Sequence, residues 1–185
     1  MWLRTSIRPY ESNDCIDLFK ISTDEIFTWL PYGPFKDETE MRIFYENLST
    51  KCELFTVFDE HSKIIHGIFA LKNISDEHKK CEIGHIWYGE KYQRTHINTE
   101  TMFLALSDCF DKKNFRRVSW KCDNLNLNSK RCALRLGFRQ EGIFFNDQII
   151  KGKNKDTVWF AILDKDWPHV KQHLIHLIST SKNKL

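Results

Sequence analysis

The chain has 185 residues, of which 41% are hydrophobic and 14% aromatic, enough apolar material for a full core and too much for a disordered segment. Its formal net charge of +3 is modest, and Lys and Arg form no block beyond a short run at 151–155, so the composition argues against a nucleic-acid-binding face. Six scattered cysteines without a C-x-x-C pair read as small buried hydrophobes in a reducing compartment.

The first residues lack the apolar segment of a secretory signal, and no window approaches the roughly 20 apolar residues of a membrane span. A cytoplasmic protein without a membrane partner is expected. Residues 3–9 read as a first strand ending at Pro9. Asn13 or Asp14 caps a helix with Cys15, Leu18, Phe19 and Ser22 on its inner face. The stretch 28–35 holds two prolines and a glycine and must be a loop; its aromatics Trp29, Tyr32 and Phe35 either cover the core or wall a binding site. A helix over 37–49 places Met41, Phe44, Tyr45 and Leu48 at helical spacing. Strands over 52–59 and 64–74, joined by the polar turn 60–63, carry apolar residues on both faces, which predicts a sheet covered by helices on both sides.

Residues 81–138 read as a strand, a polar turn opening a helix, a second strand, and an Asn/Ser-rich turn opening a second helix that closes on Gly137. Alternation along the strand 81–89 puts Glu82, Gly84, Ile86 and Tyr88 on one face and Ile83, His85 and Trp87 on the other. The N–H groups of residues 94–98 open a helix that runs through 99–113, with Thr99 and Glu100 in a polar first turn and Met102, Phe103, Leu106, Cys109 and Phe110 on its apolar side. Both strand-to-helix junctions leave backbone N–H groups free at a helix N-terminus, a geometry that suits a pyrophosphate. Two final strands, 138–146 and 157–164, flank the basic run as a hairpin, and a closing helix starts near Asp166. That helix carries His169, His173 and His176 at spacings open to a metal, yet no carboxylate or thiol joins them and no metal is expected.

Three motifs carry a resemblance: EIGHIWY at 82–88, QRTHINTE at 93–100, and N-L-N-S at 126–129, eight residues before the glycine of LGF. Together they make the chain similar to the GNAT superfamily of acyl-CoA-dependent N-acetyltransferases, and within it to the branch of ribosomal-protein N-terminal alanine and serine acetyltransferases. The resemblance implies an α/β fold with a mixed, mostly antiparallel central sheet of about seven strands and helices on both faces, as one domain over 1–185. It implies transfer of an acetyl group from acetyl-CoA to a primary amine, either a protein N-terminal α-amine or a small molecule, by a monomer or homodimer. The family's loop reads Gln/Arg-x-x-Gly-x-Gly/Ala, whereas here His96 and Asn98 occupy the small-residue positions and crowd the approach to phosphate.

Acetyl transfer requires that the amine lose a proton, that the carbonyl oxygen meet donors as it gains charge, and that the departing thiolate be stabilised. The resemblance places the cofactor on Gln93, Arg94, Thr95, His96, Asn98 and Thr99, with Trp87 and Tyr88 on the preceding strand and Asn126 and Ser129 at the second junction. Ser129 is the candidate for the thioester sulfur. Glu82 is the candidate base, directly or through a water. His85 is better tuned near neutral pH, but its alternation with Ile83 and Trp87 marks a core or interface histidine, which with Tyr32 and Phe35 is assigned to the acceptor site. A non-catalytic acyl-CoA-binding or regulatory module on the same fold stands as the alternative.

Overall fold

The computed structural model describes residues 3–182. Strand β1 (Thr5–Pro9) is followed by helix α1 (Cys15–Ile21), a 3-10 turn over Asp24–Trp29 and helix α2 (Glu38–Ser49). Strands β2 (Glu53–Asp59), β3 (Ile65–Ser75) and β4 (Lys80–Tyr88) lead to helix α3 (Ile97–Ser107), which continues into a π-helical turn over Asp108–Lys112. Strand β5 (Arg117–Asp123), helix α4 (Leu127–Arg135), strands β6 (Arg139–Ile150) and β7 (Lys153–Leu163), and helix α5 (Trp167–Lys182) follow.

Local chemistry explains most of these boundaries. Asp37 is extended and accepts from the Glu40 backbone N–H at 2.9 Å, capping α2 one residue after the sequence places its start. Lys151 and Gly152 both take positive φ, 50° and 74°, the backbone of a two-residue hairpin turn whose twist matches the flanking strands. The basic run is therefore the tip of the β6–β7 hairpin. Strand β1 starts at Thr5, two residues later than expected, where the Glu100 carboxylate accepts from the Arg4 and Thr5 N–H groups at 2.9 and 2.8 Å. Glu100 is fully buried, so the first turn of α3 is not the polar surface its composition predicts.

Among the described residues seven strands form one sheet in the order β1-β2-β3-β4-β5-β7-β6. Every neighbouring pair is antiparallel except β4 and β5. One core lies between the sheet and α3, α4 and α5, with Ile83, Met102, Leu106, Ala133 and Leu174 in it. The other lies under α1 and α2 and includes Leu18, Phe27, Met41, Tyr45 and Trp87. Ile65 to Leu71 of β3 are all buried because both faces of that strand are covered. Among the described residues no helix is long and apolar enough to cross a membrane.

Candidate active site

Strands β4 and β5 pair for only four rungs, from Lys80 opposite Arg117 to Ile83 opposite Trp120. Beyond that point β4 continues to Tyr88 and β5 to Asp123 without pairing to each other, so their facing edges present free peptide groups. A cavity of about 560 Å³ occupies the opening. Its wall comes from the turn at Glu25–Leu30, from β4 between Ile83 and Tyr88, from the entry to α3, from Trp120, Lys121 and Cys122 of β5, and from α4.

A bulge shapes the β4 side. Ile68 of β3 pairs with Trp87 and Ala70 with Gly84, which leaves His85 and Ile86 opposite the single residue Phe69. His85 absorbs the extra residue with φ of 52°, a left-handed conformation uncommon outside Gly, although His, like Asn and Asp, adopts it more readily than most. The expected alternation fails here for that reason. Tyr88 joins Ile83 in the α3-side core, while Trp87 crosses to the α1/α2 core and donates its indole N–H to Tyr45 Oη at 2.8 Å. His85 goes the same way and packs its ring 5.5 Å from that of Tyr32. Burial, then the charges of Lys72 and Lys121, lower the His85 pKa from 6.5 to about 4, so the imidazole is neutral near pH 7.

Glu82 precedes the bulge and is 2% exposed. Its carboxylate meets Lys72 Nζ at 3.0 Å, Asn73 Nδ2 at 2.8 Å and, more loosely, Lys121 Nζ at 3.9 Å. Lys72 reaches it by lying across β4: a Cβ on Gly84 would come 2.8 Å from Lys72 Cε, so a side chain here would push the lysine aside. Glu82 does not border the cavity; Ile83 to Tyr88 do.

On the opposite wall the two helix entries converge. Asn126 Oδ1 accepts from the Ser129 backbone N–H at 3.0 Å and caps α4. Ser129 Oγ accepts from Trp120 Nε1 at 3.0 Å, which leaves the hydroxyl proton available to another partner. Burial raises the pKa of the neighbouring Cys122 thiol, with the Ser129 hydroxyl acting against that rise. At α3, Gln93 Nε2 donates to the Tyr88 carbonyl at 3.0 Å, fixing the loop against β4, and Thr95 Oγ donates to the Tyr92 carbonyl at 2.7 Å. Asn98 accepts from Tyr88 Oη and donates to Cys132 Sγ, and Arg135 donates to Thr99 Oγ at 2.9 Å. These last two contacts brace α3 against α4. Arg94, Arg131 and Arg135 add positive charge to the cavity wall beside the helix N-termini.

Trp87, Tyr88, Gln93, Arg94, Thr95, Asn98, Asn126, Ser129 and His85 thus all border one cavity, although they are spread over four elements. Besides Glu82, four expected residues do not line it. His96 is the residue before α3, in ordinary right-handed geometry at φ of −65°, and Thr99 is buried against Arg135. The positive φ of the loop falls on Arg94 at 59°, so the missing glycine at 96 is not a conformational problem. Tyr32 and Phe35 belong to an aromatic cluster with Phe27, Phe44 and Tyr45 behind the wall. The wall also holds residues for which the motifs gave no cue, chiefly Leu30, Lys121, Arg131 and Arg135. Of these Lys121 did carry a signal, as a charge between Trp120 and Cys122 on an otherwise apolar strand. Of the α5 histidines, His173 lies with Nε2 2.8 Å from the Arg135 carbonyl at the end of α4.

The family model described as an acetyltransferase (GNAT) domain matches residues 4–139. The uncharacterized N-acetyltransferase YnaD of Bacillus subtilis is 27% identical over 166 residues, spanning 89% of this chain and 96% of that protein. A GCN5-related N-acetyltransferase from Brucella melitensis superposes with a TM-score of 0.91 at 33% identity, over 96% of this chain and 84% of that one. A spermidine N-acetyltransferase from Vibrio cholerae, solved in complex with CoA and spermine, shares the fold with a TM-score of 0.75 at 19% identity, over 89% of this chain and 98% of that one.

Proposed function

The chain belongs to the acetyltransferase (GNAT) family, and on that premise we propose that it transfers the acetyl group of acetyl-CoA to a primary amine. The observation that carries this reading is the parting of β4 and β5 over a cavity that also receives the N-termini of α3 and α4. The donor set fits the cofactor: free peptide groups along β4 suit an amide-bearing arm, and helix N-termini with Arg94 and Arg131 suit a pyrophosphate. When bound, acetyl-CoA supplies a thioester whose C–S bond breaks as the C–N bond to the amine forms, releasing the CoA thiol.

The chain's own residues then have separable tasks. Gln93 holds the loop to β4, and Asn98 holds α3 to α4, which keeps the two N-termini at a set distance. Ser129, with its oxygen engaged by Trp120, directs its proton toward the leaving sulfur. Of the two forms expected of Glu82, burial behind the wall favours the relayed one, in which it takes the amine proton through a water. The neutral His85, made a weak proton acceptor by its lowered pKa, orients the acceptor.

The test is thiol release from acetyl-CoA measured over a panel of primary amines, with CoA affinity measured in parallel by calorimetry. CoA binding together with release dependent on an amine is the expected result. Binding without release for any amine would leave a non-catalytic acyl-CoA module.

A further inference from the structure

Resting on the acetyltransferase reading, we propose that the acceptor amine also carries a carboxylate, and that Lys121 receives this carboxylate at the cavity wall. The charges on the β4–β5–β7 face do not balance. Lys155 is matched by Asp123 at 2.7 Å, but Lys72 and Lys121 share the one carboxylate of Glu82, at 3.0 and 3.9 Å. These three lysine side chains are only 20–23% exposed, so the surplus ammonium is poorly screened by solvent. Glu25 also borders the cavity, but it is exposed at the rim, where water and salt weaken its influence.

Lys121 holds the surplus charge. Its distance to Glu82 exceeds that of a hydrogen bond, whereas Lys72 makes the close contact, and Lys121 is the lysine that lines the cavity. Its ammonium stands 4.9 Å from the centre of the Trp159 ring, which attracts the cation without accepting a hydrogen bond from it. Two buried ring nitrogens have no hydrogen-bond partner among the described residues: His85 Nδ1, whose residue lines the cavity, and Trp159 Nε1, on the ring that Lys121 overlies. The indole N–H is a donor, and a neutral imidazole protonated at Nδ1 is another. An ammonium that only shares a distant counter-ion and an idle ring nitrogen on the same wall together fit an anionic oxygen pair. The lowered pKa of His85, caused first by burial and then by Lys72 and Lys121, reflects the same positive field. A polyamine would bring further positive charge against these lysines and be opposed by it. The carboxylate takes no part in bond making, and serves to fix the amine before the β4 bulge.

The experiment uses the full wild-type chain at saturating acetyl-CoA with matched acceptors: alanine against alaninamide, γ-aminobutyrate against butylamine, and a peptide with an acidic second residue against its amide counterpart, with spermidine alongside. The expected result is a kcat/KM about tenfold or more higher for the acid member of at least one pair, a preference that shrinks at high salt. Lys121→Met is expected to raise the KM of that acid member toward the value of its partner. Preference for the uncharged members in every pair, or for spermidine, overturns the inference while leaving the acetyltransferase reading intact. No turnover of any amine removes both. If Lys121→Met fails to fold, the wild-type pairs decide alone.

Discussion

The indole N–H of Trp120 donates to the hydroxyl of Ser129, whose backbone N–H is already taken by Asn126. Capping therefore belongs to Asn126, and the serine hydroxyl is free for another role. Ser129→Ala is expected to lower kcat on the order of tenfold or more with little change in acetyl-CoA affinity, because a bond to charge developing on sulfur is strongest in the transition state. The same change strands the Trp120 N–H and should cost about 1 kcal/mol of stability. Steady-state kinetics beside a melting curve separates the two effects; an unchanged kcat with a lowered Tm would confine Ser129 to supporting Trp120.

Glu82→Gln is expected to depress turnover most at low pH. As pH rises past the ordinary α-amine pKa of about 7.7–8.0, more acceptor arrives already neutral and the carboxylate matters less. The ratio of wild-type to variant rate should fall between about pH 6.5 and pH 9 for an α-amine. A ratio of one throughout would reduce Glu82 to the anchor of Lys72.

His85 is expected to affect stability on the acid side. Its folded pKa, about 4, lies below the ordinary 6.5. Above pH 6.5 both folded and unfolded chains hold it neutral. As pH falls from 6.5 toward 4, the unfolded chain takes a proton that the fold refuses, and stability drops. Thermal melts across that window should show a shallower decline for His85→Gln than for wild type. Equal slopes would mean that the imidazole is protonated in the folded protein as well.

Arg94→Glu is expected to weaken CoA binding by about tenfold or more, since it exchanges an attractive charge at the entry to α3 for a repulsive one. Calorimetry reads this directly, and an unchanged affinity would move the pyrophosphate away from this loop.

The sheet class and the two strand-to-helix junctions were legible because they rest on local patterns: strands at 52–59 and 64–74 with apolar residues on both faces, turn residues at 93–98 and 126–129, and helical spacing from Met102 to Phe110. The face assignments beyond Gly84 were not, because a bulge carried by a histidine leaves no trace in hydrophobic period. Glu100 read as surface for a related reason: the partners that bury it, the N–H groups of Arg4 and Thr5, lie more than 90 residues away. Lys121 borders the site because β5 parts from β4, and pairing to the end would have left no cavity beside it.

That parting also divides the sheet into a meander, β1–β4, and a three-stranded group in the order β5-β7-β6, stitched by four parallel rungs. In topological terms it lacks half a strand. An extended ligand bearing amides along its length would become that strand when it enters, hydrogen-bonding to edges that otherwise face solvent. Cofactor uptake and closure of the seam would then be one event.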